Sequence, residues 1–148
     1  MIRISKLADY AVVMLTSMAQ ERGVVLSAPA LSERTRISEP TVAKVLKMLS
    51  RQGIVLSVRG AAGGYRLARP ADQIAVIDIV EAIEGPIALT ACVDGAEPDC
   101  ALGACCSVRG RWDSVNQAMR SALEEVMLAD MIAPARIRER KGAGYGGH

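Results

Sequence analysis

The amino-acid sequence predicts a mainly helical fold with one small β-hairpin, and three features predict it. Apolar residues recur at three- and four-residue spacings through most of the chain. Serines stand just ahead of the first three such runs (Ser5, Ser27, Ser38), and glycines close most of them (Gly23, Gly53, Gly85). β-Branched and apolar residues run together at Ile54-Val55-Leu56-Ser57-Val58-Arg59 and return as Tyr65-Arg66-Leu67-Ala68, across Gly60-Ala61-Ala62-Gly63-Gly64.

Ser5 is an N-cap for a first helix whose positions Leu7, Tyr10, Ala11, Met14, Leu15 and Met18 form one core-facing stripe. After the short extended piece Val24-Val25-Leu26, Ser27 and Pro29 open a second helix that runs to about Thr35. Ser38 caps a third, with Pro40 tolerated in the first turn because its missing amide hydrogen would have no partner there. This helix turns Val42, Val45, Leu46 and Leu49 inward and leaves Pro40, Thr41, Lys44, Lys47 and Arg51 outside. Two short helices joined by a tight turn make a helix-turn-helix, and the glycine-tipped hairpin between Arg59 and Arg66 makes a wing. Glycine lets backbone approach phosphates, and arginine suits a narrow minor groove.

Beyond Pro70, Asp72 to Glu84 predicts an amphipathic helix with Val76, Ile77, Val80 and Ile83 inward, stopped by Gly85-Pro86. From about Val108 to Leu128 a longer helix aligns Trp112, Val115, Met119, Leu123 and Val126. Little else in the chain is left to cover that stripe, so it predicts a homodimer. The expected organisation is a winged helix-turn-helix DNA-binding domain over 1–70 and a linking helix over 71–91. A cysteine loop over 92–106 and a long C-terminal dimerisation helix over 107–132 follow. The basic, glycine-rich tail over 133–148 lacks packing residues and is expected to be disordered.

With 148 residues the chain can bury one good core, or a small domain with an oligomerisation arm. No apolar run is long enough to span a bilayer, so a soluble, cytoplasmic protein without a membrane partner is expected. The net charge of +2 hides a strong asymmetry. Residues 1–70 hold eleven Lys/Arg against four Asp/Glu, whereas 71–133 hold three against eleven. A half of the first sign seeks polyanions, unless it is an ordinary solvated pattern.

All four cysteines fall within fifteen positions, at Cys92, Cys100, Cys105 and Cys106, amid turn-forming residues. A loop of soft thiolates suits an iron-sulfur cluster or zinc. Disulfide pairs are disfavoured in a reducing cytosol. A closed zinc cage is awkward with two adjacent thiols and no C-x2-C pair.

The order of these parts resembles that of the iron-sulfur-sensing transcription regulators that include IscR and NsrR. Local matches are Arg3-Ile4-Ser5-Lys6 with Tyr10-Ala11-Val12, Ser57-Val58-Arg59-Gly60 with Gly63-Gly64-Tyr65, and Ile74-Ala75-Val76. Ile79-Val80-Glu81-Ala82-Ile83-Glu84-Gly85-Pro86 and Leu128-Ala129-Asp130-Met131 are most similar to the branch that regulates the SUF iron-sulfur assembly operon. The resemblance implies that three cysteines bind a [2Fe-2S] cluster, favoured here, or a [4Fe-4S] cluster. Spacing in the relatives points to Cys92, Cys100 and Cys106, with Cys105 as the alternative. Where IscR-like members place a histidine ligand this chain has Arg109, which cannot ligate. NsrR-like members supply an aspartate from the partner subunit's first helix, and Asp9 stands at that place; it is otherwise an ordinary surface carboxylate.

The sequence therefore reads as a dimeric, non-enzymatic regulator, a repressor by preference, that binds a double-stranded operator of dyad symmetry and responds to cluster status, redox or nitric oxide. Glu39, Pro40, Thr41 and Lys44 are expected at base edges, with Ser38, Lys47 and Arg51 at phosphates. Arg59 is expected in the minor groove, beside the wing residues Gly60, Gly63, Gly64 and Tyr65. A metal-free thiol sensor using Cys105 and Cys106, or an iron-sulfur carrier, are the rival readings.

Overall fold

The computed structural model describes residues 1–93 and 105–132; Cys100 and the tail expected to be disordered lie outside them. Helix α1 spans Lys6–Ala19, α2 Ala28–Thr35 and α3 Glu39–Arg51, followed by strands β1 (Val55–Val58) and β2 (Gly64–Leu67). A 3-10 turn at Ala71–Gln73 leads to α4 (Val76–Glu84), and α5 (Trp112–Glu124) and α6 (Leu128–Ile132) follow.

The local signals act as expected in the first two helices. The Ser5 and Ser27 hydroxyls accept the amides of Ala8 and Ala30, which lack partners within the helix. Ser38 stands at the N-cap of α3 but caps differently from expectation: its hydroxyl pairs with Thr41 Oγ1 at 2.8 Å, and no side-chain cap bond forms. The core gathers Ala11, Met14, Leu15 and Met18 of α1, Leu31 of α2 and Val42, Val45, Leu46 and Leu49 of α3. Ile54 and Val55 of the hairpin join it, as do Ile74, Ile79 and Leu128 from the C-terminal half. Each fully buried leucine or isoleucine contributes about 1.5–3 kcal/mol. One core thus ties the helix-turn-helix and the hairpin to α4 and α6.

The hairpin pairs Val55 with Leu67 through Val58 with Gly64, antiparallel. Leu26 adds a bridge on the other edge of β2, exchanging bonds of 2.9 and 2.8 Å with Tyr65.

Two expected helices come out shorter. The helix expected from Asp72 begins at Val76, because Ile74 and Ala75 are extended and Ala75 bridges Met127. The single long helix expected from Val108 to Leu128 is corrected to two. Gly110, at φ +73°, holds the approach in turns until Trp112. At the other end Val126 C=O accepts from Val76 N–H and Leu128 N–H donates to Ile74 C=O, both at 2.8 Å. Backbone groups engaged this way cannot continue the helix. The Asp130 carboxylate then accepts the Met127 amide at 2.8 Å and starts α6.

Candidate functional site

The turn between α2 and α3 sets how α3 is presented. Arg36 adopts a left-handed conformation, φ 63°, uncommon for a residue with a Cβ, and its N–H donates to Ser32 C=O. Ser32 Oγ–H donates to Ile37 C=O at 2.6 Å and Thr35 Oγ1–H to Leu31 C=O at 2.7 Å, so the turn is hydrogen-bonded on both sides. With one face of α3 buried, Glu39, Pro40, Lys44, Lys47 and Arg51 stand exposed on the other. Pro40, Ala43, Lys44, Lys47, Met48 and Arg51 line a shallow groove along it. Among the described residues no carboxylate lies within salt-bridge distance of Lys44, Lys47, Arg51 or Arg59. Thr41 is half-buried, its hydroxyl engaged with Ser38.

At the wing Arg59 and Gly60 are exposed, and Gly60 has φ +115°. The adjacent glycines are required by crowding. A Cβ on Gly63 would lie 2.4 Å from Val58 O, and one on Gly64 would lie 2.5 Å from Leu26 O. Tyr65 packs half-buried against the core. Gly64 and Tyr65, expected at the DNA surface, therefore hold the hairpin onto the domain.

The cysteine arm leaves α4 at Gly85 and is held by α5. Asn116, buried to 4% exposure, accepts the Leu89 amide at 3.1 Å and donates to Ile87 C=O at 3.0 Å. Glu81 accepts from the Arg120 guanidinium and from the Ile87 amide. Cys92 follows, half-buried, its thiol 3.2 Å from Thr90 Oγ1. Beyond the undescribed stretch Cys105 is exposed and Cys106 half-buried. All three are free thiols, and among the described residues no three Cys, His, Asp or Glu side chains converge. Arg109 and Asp9 are both exposed.

The expected dimer stripe splits by exposure. Trp112, Val115 and Val126 are 36–45% exposed, while Met119 and Leu123 are half-buried. Large apolar side chains in one row without a cover mark an interaction face.

Compared with known proteins, residues 4–134 match the family described as "Rrf2: Iron-dependent Transcriptional regulator". The chain belongs to the Rrf2 family. It is 35% identical to protein aau3 of Rhizobium meliloti over 88% of this chain and 84% of that one. It is 32% identical to protein rrf2 of Nitratidesulfovibrio vulgaris, over 80% and 78%. Among solved structures it is similar to CymR, the global cysteine regulator of B. subtilis, with TM-score 0.69 and 27% identity over 89% of this chain and 97% of that one. It is also similar to T. potens IscR, with TM-score 0.65 and 30% identity over 88% and 86%.

The Rrf2 chain is thus a transcription regulator of winged helix-turn-helix fold, from a family that binds DNA, and none of its described helices is long and apolar enough to cross a membrane. Its fold brings Lys44, Lys47 and Arg51 onto one helix face. Asn116 and Glu81 were missed by the sequence reading, because an Asn on a polar helix surface and a Glu at the end of an amphipathic helix carry no pattern of their own.

Proposed function

We propose that this Rrf2 regulator binds a dyad-symmetric operator as a homodimer in the cytoplasm, acting as a repressor, and that a cysteine-ligated iron-sulfur cluster sets its affinity. The observation that carries the DNA reading is the groove of α3, whose three cations have no carboxylate within salt-bridge distance among the described residues and so face phosphates and base edges. Lys44→Ala and Arg59→Ala should each weaken binding to an operator recovered from a random duplex library by about 1–3 kcal/mol. Arg51→Ala should weaken operator and unrelated duplex alike, since phosphate contacts carry no sequence information. Unchanged affinity for all three in titrations at fixed salt would remove this face from the interface.

The dimer reading rests on the row that α5 leaves exposed, Trp112 and Val115. A second copy is the economical cover, because a closed two-fold pair buries the row on both chains at once. Val115→Asp should shift the protein from dimer to monomer in sedimentation at micromolar concentration. An unshifted dimer would move the interface elsewhere.

The sensing reading rests on the donor set. Cys92 and Cys106 are half-buried free thiols at the two ends of one loop, with Cys100 between them in sequence. Soft thiolates in partial shelter fit an iron-sulfur group, [2Fe-2S] before [4Fe-4S], which would supply a centre sensitive to redox state and nitric oxide. The family's description as iron-dependent supports an iron-containing group, and the SUF assembly genes are proposed as targets on the sequence resemblance alone. Asp9 of the partner subunit and Cys105 are the candidates for a fourth position. The exposure of Cys105 beside Cys106 favours one second reading, a metal-free thiol sensor. A visible spectrum of anaerobically purified protein separates the two, since only the cluster absorbs there.

A further inference from the structure

Asn116 is the one polar residue buried among the described residues, and it bonds only to backbone outside its own helix. Its amide faces the cysteine arm in both senses, taking the Leu89 N–H and giving to the Ile87 C=O. A side chain that matches both a donor and an acceptor two residues apart on one segment fixes that segment in register as well as in place. Glu81 adds a second tie, receiving Ile87 N–H and the Arg120 guanidinium one turn further along α5. Cys92 lies three residues beyond Leu89, and Cys106 lies six before Trp112, where α5 begins. Both ends of the cysteine loop are thereby referred to the first two turns of the same helix. That helix carries the exposed Trp112 and Val115 next to Asn116.

We infer that Asn116 is a positioning residue for Cys92, setting where the first thiol of the cluster loop stands relative to α5. This rests on the cluster reading above and specifies the residue outside the loop on which it depends. Between Gly85 and Cys92 no side chain of the arm is fully buried, Pro86 and Ala88 being exposed and Ile87 and Leu89 half-buried; the arm's other anchor is Val93, buried just beyond Cys92 with its N–H donating to Thr90 C=O at 3.3 Å. Without Asn116 the Leu89 amide and the Ile87 carbonyl lose their partners, and the arm must swing out to reach water. Outer partners that orient a metal ligand typically change its hold on the metal by about 10–100-fold when removed.

The test uses the full chain. After anaerobic reconstitution, Asn116→Ala should lose iron to a chelator about tenfold faster than the parent or worse. Asn116→Asp keeps the acceptor for Leu89 but not the donor to Ile87, and should fall between them. Leu49→Ala, a core truncation in α3 distant in sequence from the arm, is the stability control and should keep the parental lifetime at a temperature below its melting range. A second readout needs no cluster. In a Cys100→Ser, Cys105→Ser, Cys106→Ser protein, iodoacetamide should alkylate Cys92 several-fold faster once Asn116 is alanine. Unchanged alkylation together with an unchanged iron lifetime overturns the inference. Parent protein that retains no iron or sulfide, with alkylation still accelerated by Asn116→Ala, overturns the cluster reading and leaves Asn116 as the residue that positions Cys92.

Discussion

Gly64→Ala is expected to lower the thermal midpoint by roughly 10 °C and to loosen the wing, although it adds a single methyl group. The new Cβ would sit 2.5 Å from Leu26 O, 2.6 Å from Leu26 C and 2.8 Å from Ser27 N. These are backbone atoms, which cannot rotate aside as the end of a side chain can. The segment must retreat, and with it go the two Leu26–Tyr65 bonds and the cap that Ser27 gives to α2. Forced overpacking and lost hydrogen bonds together cost about 3 kcal/mol. Because α2 and the wing both flank α3, the helix proposed to enter the operator, operator affinity should fall with stability. Calorimetry of the variant against the parent checks this, and a midpoint within 2 °C would show that the strand accommodates a Cβ.

The same position shows what the sequence makes legible. Glycines between two extended runs announce a hairpin, since a turn needs them. That Gly64 is indispensable depends on Leu26, almost forty residues away in sequence, whose carbonyl approaches only in the fold. Val42, Val45, Leu46 and Leu49 could be placed inward correctly because burial follows the helical period when one face meets a core. Glu124-Glu125-Val126-Met127 could not be read as a break, because Glu and Met are good helix formers and the run holds no Gly or Pro. What ends α5 is a pair of backbone bonds to residues 74 and 76, a tertiary effect that overrides local preference. Ser38 stands at the N-cap as read, but its hydroxyl pairs with Thr41, three residues on, and gives no side-chain cap bond. For the candidate site, charge and spacing pointed to α3 and to the cysteines, whereas the clamp at Asn116 exists only once the 87–89 segment folds back onto α5.

Substitutions in the cysteine loop should have the largest effect on the proposed sensor. Cys92→Ala, Cys100→Ala and Cys106→Ala are each expected to reduce iron and sulfide after anaerobic reconstitution to the background of a cysteine-free protein, whereas Cys105→Ala keeps most of both. Spacing alone does not separate the adjacent pair. Exposure does: Cys106 is half-buried, its carbonyl accepting the Arg109 amide at 3.3 Å, while Cys105 faces solvent. A thiolate that must hold iron against water and oxygen gains from shelter, and an exposed thiol is the first to be oxidised. A cluster needs its full ligand set, so removing one of three protein thiolates leaves an iron without support rather than a weaker site. Iron and sulfide analysis with a visible spectrum decides the matter. Retention in Cys106→Ala with loss in Cys105→Ala would exchange the two neighbours. A parent protein without iron, whose DNA affinity changes reversibly with peroxide and dithiothreitol and is blunted by Cys105→Ala, would instead make the thiol pair itself the sensor.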